Sequence, residues 1–148
     1  SSFIMGFPGE TEGDCQELLK FLEQARLDHV GIFRYSREEN SAAYHYQDQV
    51  DEKTKRRRYN EAMALQRQIS YELNRGLVGR EVQVLMEYPS QESDLVMVGR
   101  HRGQAPDVDG VVYVGRGTLQ PGDLVTVRIT EAHAYDLVGE VVESSESA

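Results

Sequence analysis

The segment Ser2-Phe3-Ile4-Met5-Gly6-Phe7-Pro8-Gly9-Glu10-Thr11 constrains the fold of this chain more than any other. Its apolar start is too short for a helix and is β-compatible at Phe3 and Ile4. Gly6, Pro8 and Gly9 then break the run, and Thr11 offers a side-chain oxygen to cap the next element. From there Cys15, Leu18, Leu19, Leu22 and Ala25 recur at the three-and-four spacing of a helix face. Glu12 and Asp14 sit near the positive end of that helix, and Glu17, Lys20 and Glu23 lie on its outer side. The β-forming run Val30-Gly31-Ile32-Phe33-Arg34-Tyr35-Ser36 completes a strand–helix–strand unit. Such a unit implies two parallel strands with a right-handed crossover, and one helix cannot cover both of their faces. The pair is therefore expected to belong to a sheet continued by chain ahead of it, or to fold only together with the later part of this chain.

Residues 37–49 lack periodicity and read as a polar loop. Asp51 to about Arg75 predicts a long helix burying Tyr59, Ala62, Met63, Leu65, Ile69 and Leu73, with Gly76 placed to end it. The basic run Lys53, Lys55, Arg56, Arg57, Arg58 invites a nucleic-acid reading, but with Asp51 and Glu52 beside it a solvated helix face is expected. After Leu77-Val78-Gly79 the period changes to two. Strands are predicted at Val82–Met86, Leu95–Gly99, Val111–Gly115, Leu124–Thr130 and Leu137–Val142, separated by Pro, Gly, Asp and Ser turn signals. In the fourth of these, Val125, Val127 and Ile129 alternate with Leu124, Thr126, Arg128 and Thr130, the pattern of a barrel wall. Five short strands suggest a small closed barrel. A Ser- and Glu-rich end, 144–148, is expected to be a disordered tail.

The 39% hydrophobic and 28% charged residues suffice for a packed core. No run approaches the roughly 18 apolar residues of a membrane span, and no basic-then-apolar leader is visible, so the expectation is a cytoplasmic protein with no membrane partner. Cys15 is the one cysteine, which excludes an internal disulfide and an all-cysteine iron–sulfur site within this sequence. His29, His45, His101 and His133 are scattered singly, so no metal ligand set is predicted. The Gly6–Gly9 turn lacks the spacing of a phosphate loop, and Glu10 and Glu12 beside it would repel an anion. A net charge of −9 argues against holding nucleic acid by phosphate neutralisation and favours a basic protein partner. From Gly79 onward twelve carboxylates face five arginines and no lysine, so the barrel carries most of the excess.

These segments resemble the methylthiotransferases of the radical S-adenosylmethionine superfamily. The run Phe3 to Thr11 is similar to a late strand of that family's catalytic barrel, and Val30 to Ser36 to its next strand. Ala64-Leu65-Gln66-Arg67-Gln68-Ile69-Ser70, with Asn74-Arg75 and Val78-Gly79, resembles its connecting helix, and the five-strand module its C-terminal TRAM domain. Gly99-Arg100, Ala105-Pro106-Asp107-Val108-Asp109-Gly110-Val111-Val112-Tyr113-Val114, Gly122-Asp123 and Tyr135-Asp136-Leu137-Val138-Gly139-Glu140 resemble the branch that acts on a ribosomal protein rather than the tRNA branch. Asn40-Ser41-Ala42-Ala43 departs from the family's more usual Gly-Thr-Pro-Ala.

The resemblance implies an α/β piece followed by an all-β one. Residues 1–78 would be the C-terminal strand–helix–strand of a radical-SAM, TIM-like barrel with its linking helix, and 79–143 a five-stranded antiparallel, OB-like TRAM barrel. It implies a parent enzyme that uses S-adenosylmethionine and two 4Fe-4S clusters to add a methylthio group to an aspartate β-carbon of a basic small-subunit ribosomal protein. The cluster-binding cysteine loop is not in this sequence, so the chain alone is expected to be inactive. It places Ile4, Gly6, Phe33 and Tyr35 beside the cofactor, with core packing of the βαβ unit as the alternative for all four and the two readings compatible for Ile4 and Phe33. Tyr135, Asp136, Asp107 and Asp109 become candidates for substrate docking, with turn formation as the alternative for the aspartates. A tRNA substrate ranks behind the ribosomal protein, as does a non-catalytic RNA-binding barrel.

Overall fold

The computed structural model describes residues 1–104 and 110–142. The chain divides into two compact units, Ser1–Ser70 and Tyr71–Ala148, with the division falling inside the long helix. Asp107, Asp109 and the 144–148 tail lie outside the described residues.

In the first unit, strand β1 (Ser2–Met5) and strand β2 (Gly31–Arg34) pair in parallel, Phe3 opposite Ile32 and Ile4 opposite Phe33. Helix α1 (Glu12–Ala25) connects them. Thr11 caps it in a full capping box, its hydroxyl accepting from the Asp14 N–H while the Asp14 carboxylate accepts from the Thr11 N–H. Arg26 in the left-handed region ends the helix. Cys15 and Leu22 are its buried residues, joined in the core by Met5 and Ile32. The 37–49 segment is better tied than its composition suggests. It holds a 3-10 turn (Ala42–His45), and the Arg37 guanidinium donates twice to the Tyr44 carbonyl while lying over that ring.

Helix α2 (Glu52–Arg75) stops before Gly76 as its sequence indicates, but its buried stripe is not the apolar one. Only Ala62 and Ile69 of the expected set are fully buried; Lys55, Arg58, Gln66 and Ser70 occupy the rest of the stripe. The reason is what the stripe faces. Gln66 donates to the Leu27 carbonyl (2.8 Å) and Ser70 to the Asp28 carbonyl (3.2 Å), so the helix closes over backbone that an apolar side chain would leave unsatisfied.

The second unit is a closed barrel of β3 (Glu81–Pro89), β4 (Val96–His101), β5 (Val112–Gly115), β6 (Leu124–Ala132) and β7 (Leu137–Val141), in the order β3-β4-β5-β7-β6. It corrects one expectation: the barrel is mixed, because β5 and β7 pair in parallel. β6 lies between them in sequence and runs antiparallel to β7, so the barrel closes only when β7 returns alongside β5. Val84, Met86, Met97, Val112, Val114, Val127, Ile129 and Leu137 fill the interior, while Leu124 on the opposite face of β6 is exposed, as the alternation predicts. Gly99 and Gly139 face inward where the filling is tightest. A Cβ at Gly139 would stand 2.3 Å from Val127 Cγ1 and 2.8 Å from the Arg128 carbonyl oxygen. No helix among the described residues is long and apolar enough to cross a membrane.

Candidate functional site

The turn between β1 and α1 is bound by charge. Gly6 has φ +83° and donates its N–H to Glu10 Oε2 at 2.7 Å. Glu10 Oε1 accepts from Arg58 Nη1 at 2.8 Å, and the same guanidinium reaches the Glu10 carbonyl (3.1 Å) and Glu12 Oε2 (3.3 Å). Arg57 pairs with Glu12 at 2.6 Å and with Glu61 at 3.1 Å. Lys55 runs its stem over Gly6, where a Cβ would stand 2.1 Å from Lys55 Cγ, and delivers its ammonium to Glu52 and to the Tyr35 carbonyl. The basic run is thus not a solvated face throughout. Lys53 and Arg56 are exposed, but Lys55 and Arg58 are buried and tie α2 to the turn. The signal was in the spacing: Lys55, Arg58, Ala62, Gln66 and Ile69 follow one helix face, and a search for apolar residues alone passes over it.

This network also bears on anion and metal binding at the turn. The Gly6 N–H, which a phosphate would need, is taken by Glu10. Glu12, Cys15 and Glu61 bring possible ligand atoms within 4.8 Å of one another. Hydrogen bonding from Arg57 holds the Glu12 carboxyl down at about 2, so this acid is committed to arginine. Burial pushes the Cys15 thiol up, away from the thiolate that a metal or cluster needs. With one cysteine in the sequence, these residues do not fit a 4Fe-4S cluster.

Of the residues expected beside the cofactor, Ile4 and Phe33 are register partners on the same face of the two-stranded sheet and are 60% and 58% exposed. They leave an exposed apolar surface on that face. Gly6 and Tyr35 are placed differently. Gly6 is buried under Lys55. The Tyr35 ring meets Phe7 edge-on at 5.3 Å with the Lys55 ammonium 5.4 Å from its centroid, and its hydroxyl is buried. In the barrel, Tyr135 is half exposed, whereas Asp136 spends one carboxylate oxygen on the Val111 N–H at 3.0 Å. Asn74 donates to the His133 carbonyl at 3.0 Å, tying the end of α2 to the β6–β7 turn.

The barrel and the segment leading into it match the TRAM domain family over residues 78–142. The comparison with whole proteins reaches across both units. The chain is 50% identical over 143 residues to the ribosomal protein uS12 methylthiotransferase RimO of Myxococcus xanthus, covering 97% of this chain and 30% of that protein. It is 48% identical over 146 residues to the RimO protein of Syntrophotalea carbinolica (99% and 32%), and 47% identical over 142 residues to that of Geobacter sulfurreducens (96% and 32%). Over nearly its whole length the chain is similar to these RimO proteins, and it spans about a third of the length of the curated relatives it matches.

Proposed function

We propose that this chain serves as the C-terminal part of an enzyme that methylthiolates an aspartate β-carbon of ribosomal protein uS12 by radical S-adenosylmethionine chemistry. The observation that carries the reading is the unbroken identity of 46–50% to proteins of that name across both units, not across the barrel alone. In this reading residues 1–78 complete a radical-SAM barrel with its linking helix, and 79–143 form the TRAM domain. Both 4Fe-4S clusters are held by residues outside this chain. When bound, S-adenosylmethionine would supply the radical, and the residues of this chain that would hold its purine are the exposed apolar pair Ile4 and Phe33. Gly6 and Tyr35 act one step removed, by shaping the turn that ends β1. The acidic barrel docks the basic substrate, with Tyr135, Asp136, Asp107 and Asp109 as contacts, in the cytoplasm.

The test uses an enzyme carrying this chain at its C-terminus, reconstituted with iron and sulfide. Mass spectrometry of uS12 should find a methylthio group on one aspartate, and the 148-residue chain alone should neither hold a cluster nor cleave S-adenosylmethionine. Modification of a tRNA adenosine instead would overturn the substrate assignment.

A further inference from the structure

The barrel register builds a feature that the interior packing does not use. Tyr88 on β3 pairs with Val98 on β4, Val98 with Tyr113 on β5, Tyr113 with Val138 on β7, and Val138 with Glu131 on β6. One lateral row thus crosses all five strands. Residues paired in register share a face of a sheet. That face is the outer one, since Met97 and Gly99 on either side of Val98 point inward, Gly99 against Val84 and Met86. Val98 is only 5% exposed yet stands outside the interior cluster, flanked by the two tyrosines, and Tyr88 is 44% exposed. The row is therefore an apolar, aromatic band on the outside of a barrel whose interior is already full.

Carboxylates rim it. Glu131 ends the row, and burial, with the nearby carboxylates of Asp136 and Glu92 adding to it, raises the pKa of the Tyr113 phenol. Arg100 sits on this face too, neutralised by Glu87 at 2.6 Å. Tyrosine faces ringed by carboxylates attract Lys and Arg side chains, the stem lying on the ring and the cation reaching the acid. The same tyrosines could stack nucleic-acid bases, but stacking proteins add a cationic groove for the backbone, and this barrel carries the opposite charge.

We propose that the row Tyr88–Val98–Tyr113–Val138, with Glu92, Asp136 and Glu131 at its rim, is the strip on which a Lys/Arg-rich segment of a protein partner docks. This rests on the proposed function, in which the partner is a basic protein, and it locates the contact on the barrel wall, beyond the turn residues Tyr135 and Asp136 alone.

The full 148-residue chain is labelled with nitrogen-15 and titrated with a decapeptide of alternating Arg and Ala, and separately with oligouridylate. Amide shifts should centre on Tyr88, Val98, Tyr113 and Val138. Replacing both tyrosines by Leu should weaken the peptide at least about fivefold, while the double Phe variant, which keeps the ring faces, should bind within about twofold of the parent. Shifts centred elsewhere, no peptide binding, an unaffected Leu variant, or tighter binding of oligouridylate would each overturn the strip. uS12 modification by the longer enzyme is scored separately. Modification without strip binding removes this proposal alone, and strip binding without modification removes the functional reading alone.

Discussion

Replacing Arg58 by Met keeps the length of the stem and removes the guanidinium from the β1–α1 turn. The side chain is 8% exposed and its main partner Glu10 is 12% exposed, so the pair sits where water cannot replace a lost partner. Glu12 is 48% exposed and keeps Arg57, and its contact should cost little. What remains is Glu10, left with the Gly6 N–H alone and its charge nearly out of water. Breaking one half of a buried pair costs about 3–5 kcal/mol, and the surviving Gly6 bond places this one near ~3 kcal/mol. The experiment is urea unfolding of the full chain followed by far-ultraviolet circular dichroism, whose helix signal comes mostly from α1 and α2. Adding Glu10→Gln should recover part of the loss, because a neutral amide still accepts from Gly6 and no longer strands a charge; the coupling in the double-mutant cycle should be about 2 kcal/mol. A cycle that is additive, or a loss below about 0.5 kcal/mol, would refute the buried-pair reasoning and return Arg58 to the surface run that its sequence context suggests.

Gly6→Ala should destabilise the first unit by more than ~1 kcal/mol, from the left-handed backbone and the collision with Lys55; recovery on adding Lys55→Ala, read by thermal melting, would separate the two causes. Gly139→Ala should cost about 1–3 kcal/mol, because one of its two close neighbours is backbone; hydrogen exchange should localise the loss to β6 and β7. Asp136→Ala removes the acceptor for the Val111 N–H and should cost about 1–2 kcal/mol, seen as faster exchange at Val111. Glu12 is held at about 2 against an ordinary 4.5, so its contribution is complete above pH 4.5 and is lost as the pH falls toward 2. The chain and its Glu12→Gln variant should differ in urea midpoint at pH 6 and converge near pH 2, with the gap narrowing in high salt.

The order of elements was legible in the sequence because each was written locally. The Thr11 cap, the three-and-four spacing from Cys15 to Ala25, and the alternation through Val125, Val127 and Ile129 each refer to neighbours within a turn or a strand. What could not be read locally is what each face meets. The basic run at 53–58 looked solvated because no spacing rule says that a glycine turn some 50 residues earlier will present Glu10 to Arg58. The buried Gln66 and Ser70 looked like surface residues because their partners are main-chain carbonyls, which carry no sequence signal.

The barrel divides in the same way. Its five strands, their glycines and its negative charge follow from composition and a period of two. Tertiary structure decided that β7 returns parallel to β5, which makes the sheet mixed and sets Tyr113 opposite Val138. Strand pairing is a long-range choice made by closure, since the last strand must satisfy both open edges at once, and that closure carries the row of Tyr88, Val98 and Tyr113 on to Val138 and Glu131.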